Sequence, residues 1–132
     1  MNRTLMVVRS IAGILWLVQL ALGIVFWTGH ALSLAQLHMG LGLLFVLALI
    51  VLATLAARAG APAPLVAATV VLAAAILALG YTQVQILPGP NHWIVRVAHL
   101  LLGLAAMPLA GRLSMAAGGE RRGPTGLALH TR

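Results

Sequence analysis

The sequence predicts an all-α transmembrane protein, an up-down-up-down four-helix bundle. Of its 132 residues, 62% are hydrophobic and only 7% are charged, and the mean hydropathy is +1.09. A water-soluble domain carries charge on about a quarter of its residues, so this composition excludes a water-facing globule. Four apolar stretches can be read, at about 10–28, 32–57, 65–87 and 93–111. Each is near the ~20 residues that a helix needs to cross ~30 Å of hydrocarbon.

The first stretch follows Arg3 and Arg9, as the hydrophobic segment of a signal peptide would. It is longer than the ~7–15 residues of such a segment, and no persuasive small-residue cleavage motif follows it. We therefore expect a retained membrane span.

Turn-forming residues separate the four stretches. They are Thr28-Gly29-His30, the proline-containing segment 58–64, and the Pro-Gly-Pro-Asn segment 88–91. Proline interrupts a helix because it lacks the backbone N–H and clashes with the preceding turn. Short connections favour antiparallel neighbours, so helices two and four run parallel. Residues 1–114 are predicted to form the bundle, and residues 115–132, rich in glycine and charge, a flexible tail.

The arginines predict the orientation. All eight basic residues are arginines, the only acidic residue is Glu120, and the net charge is +7. The turns near residues 29 and 89 carry no arginine. The positive-inside rule therefore places both termini in the cytoplasm of a bacterial-type inner membrane. Topology explains the charge without a nucleic-acid partner, and membrane lipid is the expected surrounding. Seven arginines fall on the cytoplasmic side of this arrangement: Arg3, Arg9, Arg58, Arg112, Arg121, Arg122 and Arg132.

His38 and His99 form the main candidate site, and the absence of cysteine excludes thiolate ligands. Both histidines begin a His-x3-Gly-Leu motif, and each lies about six residues into helix two or four, ~9 Å below the outer edge of the hydrocarbon. Imidazoles at one depth on parallel helices fit bis-His ligation of haem iron. Gly42 and Gly103 share the faces of their histidines and would leave room for a macrocycle. Alternatively, each imidazole forms a hydrogen bond across a helix interface.

Arg96 and His92 continue the helix-four face outward from His99. An arginine inside the membrane is costly, and a haem propionate would supply an anion for bidentate contact with Arg96. Alternatively, Arg96 extends to lipid phosphate. His92 either meets a second propionate or is solvated, and His130 in the tail is expected to be solvated.

Other polar residues lie on helices one and three. Gln19 is on helix one, and Tyr81 and Gln85 are expected to share a face of helix three. They either orient the ligand imidazoles or form hydrogen bonds between helices.

Two segments resemble the helix pairs of the haem A synthase family: residues 17–23, LVQLALG, and residues 35–41, AQLHMGL. Members of that family are two fused four-helix halves, each with histidine ligands on its second and fourth helices, and residues 10–112 resemble one half. The resemblance implies ligand roles for His38 and His99 and matches Gln19 and Gly23 to a Gln-x3-Gly pattern. The glutamate before and the arginine after a ligand histidine in the catalytic half are absent, as is the extracellular cysteine pair. It therefore implies a cofactor-binding bundle without the methyl-group oxidation.

Three functions follow from these residues. The favoured one is a small b-type cytochrome that binds haem b through His38 and His99. It either transfers electrons, with a quinone or a larger redox complex as candidate partner, or handles haem. With both axial positions filled, oxygen activation is not expected, which favours an electron-transfer or haem-binding protein over an enzyme. The second is a divalent-metal site at His30, His38, His92 and His99, weakened by the ~12 Å between His30 and His38 along a helix. The third is a cofactor-free accessory or assembly subunit. Small residues of helices two to four suit a homodimer interface and intramolecular packing equally.

Overall fold

The computed structural model describes residues 3–119, and every regular element within that range is helical. The helices are α1 (Arg3–Trp27), α2 (Ala35–Arg58), α3 (Ala63–Thr82) and α4 (His92–Gly119), with a short 3-10 turn at Leu32–Leu34 before α2. All four helices are long and apolar enough to cross a membrane. The prediction of an all-α transmembrane four-helix bundle is confirmed.

The ends of α3 differ from the predicted span. The helix begins at Ala63 with Pro64 in its first turn, a position where proline is accommodated because the missing N–H needs no helical partner. It ends at Thr82, whose carbonyl accepts hydrogen bonds from the N–H groups of Gln85 and Ile86 in a turn. Gln85 therefore lies outside the helix, and the prediction that it shares a helical face with Tyr81 is wrong.

α4 is longer than predicted. It continues through Pro108 to Gly119, so residues 115–119, which were assigned to the flexible tail, are helical. The methionine and alanines of this segment favour a helix, and charged residues begin only at Glu120. The rest of the predicted tail, residues 120–132 with His130, lies outside the described residues.

The helices form a closed ring. Each helix packs against its neighbours in sequence, α4 packs against α1, and α2 also contacts α4 across the centre. Gly29 and Gly60 close the C-terminal ends of α1 and α2 with φ angles of 78° and 88°, which glycine adopts readily because it has no Cβ. The two parallel helices that carry His38 and His99 are therefore in contact.

Burial is unequal between the two ends of the bundle. We call the end with Arg3, Arg58 and Arg112 the arginine end, and the end with loops 28–34 and 83–91 the histidine end. Most of the core lies in the half next to the arginine end. On the histidine side of the middle, the buried hydrophobic residues of the described chain are fewer: Val95 near the end of the bundle, and Phe45, Val46, Ala73 and Ile76 close to its middle. One half is therefore sealed and the other is hollow. The sealed half and the middle contain Leu5, Ala12, Phe45, Val46, Leu49, Leu52, Ala53, Ala56, Ala73, Ile76, Ala106, Ala110 and Leu113.

Candidate functional site

A cavity of about 570 Å³ occupies the half of the bundle next to the histidine end, and residues from all four helices line it. Its volume is within the roughly 300–1,000 Å³ of typical ligand pockets, which are mostly apolar with a few placed polar groups. The cavity therefore has the size and lining of a small-molecule or cofactor site. Most of the lining is apolar, and its polar side chains are those of Gln19, Thr28, His38, Tyr81, Gln83, His92, Arg96 and His99.

His38 and His99 both line this cavity and are partly buried. Neither imidazole forms a hydrogen bond with any residue from 3 to 119, and the Nδ1 atom of each is buried without a partner. The interhelical hydrogen bonds that would give the two histidines a purely structural role are therefore not formed between these residues. Buried polar atoms are normally satisfied, so each Nδ1 is an exception that the fold alone does not explain.

Neighbouring helices restrict both rings. The ring of Phe26 on α1 contacts the His38 ring edge-on, with centroids 5.3 Å apart and planes inclined at 73°. The His99 ring lies against Gly80 of α3, where an added Cβ would be 3.3 Å from His99 Cε1. Sequence analysis missed Phe26 and Gly80, because neither carries a polar group or a spacing that marks it.

Two side chains of α1 form hydrogen bonds with the backbones of the histidine-bearing helices. Gln19 Nε2 donates to the His38 carbonyl of α2 at 2.8 Å, and Trp16 Nε1 donates to the Gly103 carbonyl of α4 at 2.8 Å. Residues three apart share one face of a helix, so α1 ties α2 and α4 together along the cavity wall. Trp16 was missed by sequence analysis, although its spacing from Gln19 was a usable signal. Gln19 Oε1 is buried without a partner.

Gly42 and Gly103 differ in their surroundings. An added Cβ at Gly42 would be 2.6 Å from Gln19 Nε2, so this glycine makes room for the amide of Gln19. Gly42 also lines the cavity, so its place beside a macrocycle stays a prediction, while the direction in which a Cβ would project is occupied by Gln19 of α1. Gly103 has no atom within 4 Å of an added Cβ and lines the cavity. It alone leaves the open space predicted for both.

Arg96 and His92 line the same cavity as His99 and Gly103. Arg96 is exposed and has no ion-pair or hydrogen-bond partner between residues 3 and 119, a range without any acidic residue. His92 Nδ1 lies 3.3 Å from the carbonyl of Ile86 in the preceding loop. The face of α4 predicted from the sequence therefore forms part of the cavity wall, with His92, Arg96, His99 and Gly103 all among the lining residues.

The four-histidine metal site is not formed. Over residues 3–119, no group of three or more His, Cys, Asp or Glu side chains could hold a metal ion. His30 is exposed, and its Nδ1 lies 3.0 Å from Thr28 Oγ1 in the loop after α1. His38 and His99 line one cavity together with His92.

Comparisons with protein-family models, curated proteins and solved structures find no match to this chain. The cavity and the residues around it are therefore the basis for assigning a function.

Proposed function

We propose that this chain is a small b-type membrane cytochrome, which binds one haem b between His38 and His99 and transfers electrons. The proposal rests on one observation: two partly buried imidazoles line one cavity of about 570 Å³ and form no hydrogen bond with the described part of the chain. Neutral imidazoles are common ligands of haem iron, one on each face of the macrocycle in bis-His sites. When bound, haem supplies reversible one-electron chemistry.

The chain's own residues would hold and orient the cofactor. α2 and α4 each contribute one imidazole, and contacts with Phe26 and Gly80 restrict the two rings. Ring positions that are fixed before binding reduce the entropy lost on ligation. Two histidine ligands would leave no coordination position for oxygen or a substrate. This favours electron transfer over catalysis at the metal.

The charges around the cavity support a ligand that carries carboxylates. Arg96 has no anionic partner in the described part of the chain and presents a guanidinium that can bind a carboxylate through two hydrogen bonds. His92 adds a second basic group nearby along α4. The open space at Gly103 suits the flat face of a macrocycle. An apolar cavity with basic groups on its wall matches the chemistry of haem and its propionates.

The orientation and the partner belong to the same proposal. The arginine end faces the cytoplasm by the positive-inside rule, so the cavity lies toward the outer face of the membrane. Electrons would be exchanged there with a quinone or with a larger redox complex. The resemblance of residues 17–23 and 35–41 to the haem A synthase family also supports a haem-binding bundle.

The test is an absorption spectrum of the full-length protein purified after haem-replete expression. We expect a Soret band and reduced b-type bands, which His38→Ala and His99→Ala each abolish or strongly shift. His30→Ala is the matched control, because His30 lies outside the cavity lining, and its spectrum should equal that of the wild type. A wild-type protein without a Soret band would contradict the cytochrome and leave the cofactor-free accessory role.

A further inference from the structure

Arg9 differs from the other arginines that the structure describes. It is partly buried, whereas Arg3, Arg58, Arg96 and Arg112 are exposed. An arginine near a helix end normally extends its charge into water or the headgroup region. The position of Arg9 therefore needs a specific explanation.

The guanidinium of Arg9 lies between α1 and α4. Arg9 Nη2 is 3.9 Å from the position of a Cβ at Gly111 on α4. One turn further along both helices, Met107 Cε is 3.7 Å from the position of a Cβ at Gly13 on α1. These two layers define what we call the α1–α4 seam, formed by Arg9, Gly13, Met107 and Gly111. Arg9 therefore faces the neighbouring helix.

Arg112, next to Gly111, brings a second guanidinium to the same level. At 1.5 Å per residue, Arg9 is about 27 Å from Trp27 along α1, and Arg112 is about 28 Å from Trp93 along α4. Trp27 and Trp93 are both exposed at the histidine end, and exposed tryptophans of membrane proteins favour the interface with water. Both arginines therefore lie near the opposite boundary of the ~30 Å hydrocarbon layer. Lipid phosphates are found at this level.

No residue from 3 to 119 supplies an anion for Arg9, because the single acidic residue of the sequence is Glu120. A partly buried guanidinium without a counter-charge is costly in a membrane. We infer that the α1–α4 seam at the arginine end binds the phosphate of an anionic phospholipid through Arg9 and Arg112. A zwitterionic headgroup fits less well, because its ammonium adds positive charge beside two arginines. The α1–α4 contact is the least extensive among neighbouring helices of the ring.

The test measures how much phosphatidylglycerol the full-length protein retains by native mass spectrometry, after reconstitution in nanodiscs of phosphatidylcholine with phosphatidylglycerol. We expect Arg9→Gln to retain about fivefold less lipid than the wild type, from the attraction of one basic residue, and Arg112→Gln to lose part of the retention. Arg3→Gln is the matched control, because it removes the same charge from the exposed end of the same helix. An equal loss in Arg3→Gln, or no loss in Arg9→Gln, overturns the site.

Two further measurements separate the sources of the anion. Glu120→Gln should leave lipid retention unchanged, and an increase to well above wild type would instead identify Glu120 as the partner of Arg9. Inorganic phosphate added to phosphatidylcholine nanodiscs should not reproduce the rise in Tm that phosphatidylglycerol gives to the wild type. If it does, the site takes free phosphate, and the assignment to lipid is wrong. Arg9→Lys, which keeps the charge, should retain more lipid than Arg9→Gln.

Discussion

The two His-x3-Gly motifs are alike in sequence and different in surroundings. His38 contacts Phe26, and its carbonyl accepts a hydrogen bond from Gln19, whereas His99 lies against Gly80. The glycines four residues after the histidines also differ in function, because Gly42 on α2 accommodates the amide of Gln19 and Gly103 on α4 borders open space. At the scale of single residues, the pair is therefore matched in its imidazoles and unmatched in the groups that support them.

Gly42→Ala should destabilise the protein relative to Gly23→Ala. The new Cβ would be 2.6 Å from Gln19 Nε2, so the amide has to move away and lose its hydrogen bond to the His38 carbonyl, which costs about 1 kcal/mol. Gly23 lines the same cavity with nothing within 4 Å of an added Cβ, so its alanine variant should be neutral or gain up to about 1 kcal/mol from helix propensity. Thermal unfolding of both variants in one detergent measures the difference, and equal midpoints would contradict the close approach of Gln19.

Arg96→Leu should weaken haem retention and lower the midpoint potential, on the order of tens of millivolts. A fixed positive charge near the iron favours the reduced state, which carries less positive charge, so removing that charge favours the oxidised state. Arg96→Lys should recover part of the potential and less of the retention, because an ammonium lacks the bidentate geometry. Redox titration measures the effect. Coincident midpoints of wild type and Arg96→Leu would show that Arg96 extends to lipid phosphate instead of a propionate.

At the scale of helices, α1 carries no candidate ligand and yet determines how the ligand-bearing helices are held. Its Trp16 and Gln19 side chains bond to the backbones of α4 and α2, respectively, both at 2.8 Å. Pro108 in α4 removes one backbone N–H from that helix, at the border between the sealed and the hollow halves. The hydrogen bond from Trp16 therefore supports α4 near the point where the backbone hydrogen bonds of this helix are interrupted.

Trp16→Phe should lower stability by about 1 kcal/mol, the net contribution of a typical hydrogen bond. It should also broaden or shift the reduced spectrum, because the change frees α4 beside His99 and leaves an aromatic ring in place. Trp27→Phe is the control, since Trp27 lines the same cavity and is 48% exposed. Unfolding midpoints and spectra of the two variants decide the matter. If Trp27→Phe alters the spectrum as much as Trp16→Phe does, the hydrogen bond from Trp16 has no specific effect.

At the scale of the whole molecule, a sealed half and a hollow half share one bundle. Leu49, Leu52 and Leu113 are fully buried in the sealed half, and the cavity begins where such residues end. This division places packing energy toward the arginine end and the candidate site toward the histidine end. A bundle built in this way can leave a cavity in one half because the other half holds the four helices together.

A reporter protein fused after Arg132 should be located in the cytoplasm. Arg3, Arg58 and Arg112 lie at one end of the bundle, three further arginines follow α4 in the sequence, and translocating arginine-rich segments is unfavourable. A matched fusion in the loop after Trp27 should report the opposite side. Periplasmic activity of the fusion after Arg132 would reverse the orientation and place the cavity near the cytoplasm.

The sequence by itself predicted that there are four spans, where the breaks between them lie, and that His38 and His99 belong to the second and fourth helices. These are properties of one helix at a time, because length, composition and the rise of 1.5 Å per residue do not depend on neighbours. Only the tertiary structure decided that α3 ends at Thr82, that Gly42 serves Gln19, and that Trp16 and Gly80 border the site. These features depend on the rotation of each helix about its axis and on the distance between helices. The sequence of a helix that is apolar on all sides gives little indication of which face turns inward. In lipid, the packing of small and polar residues determines the rotation of each helix.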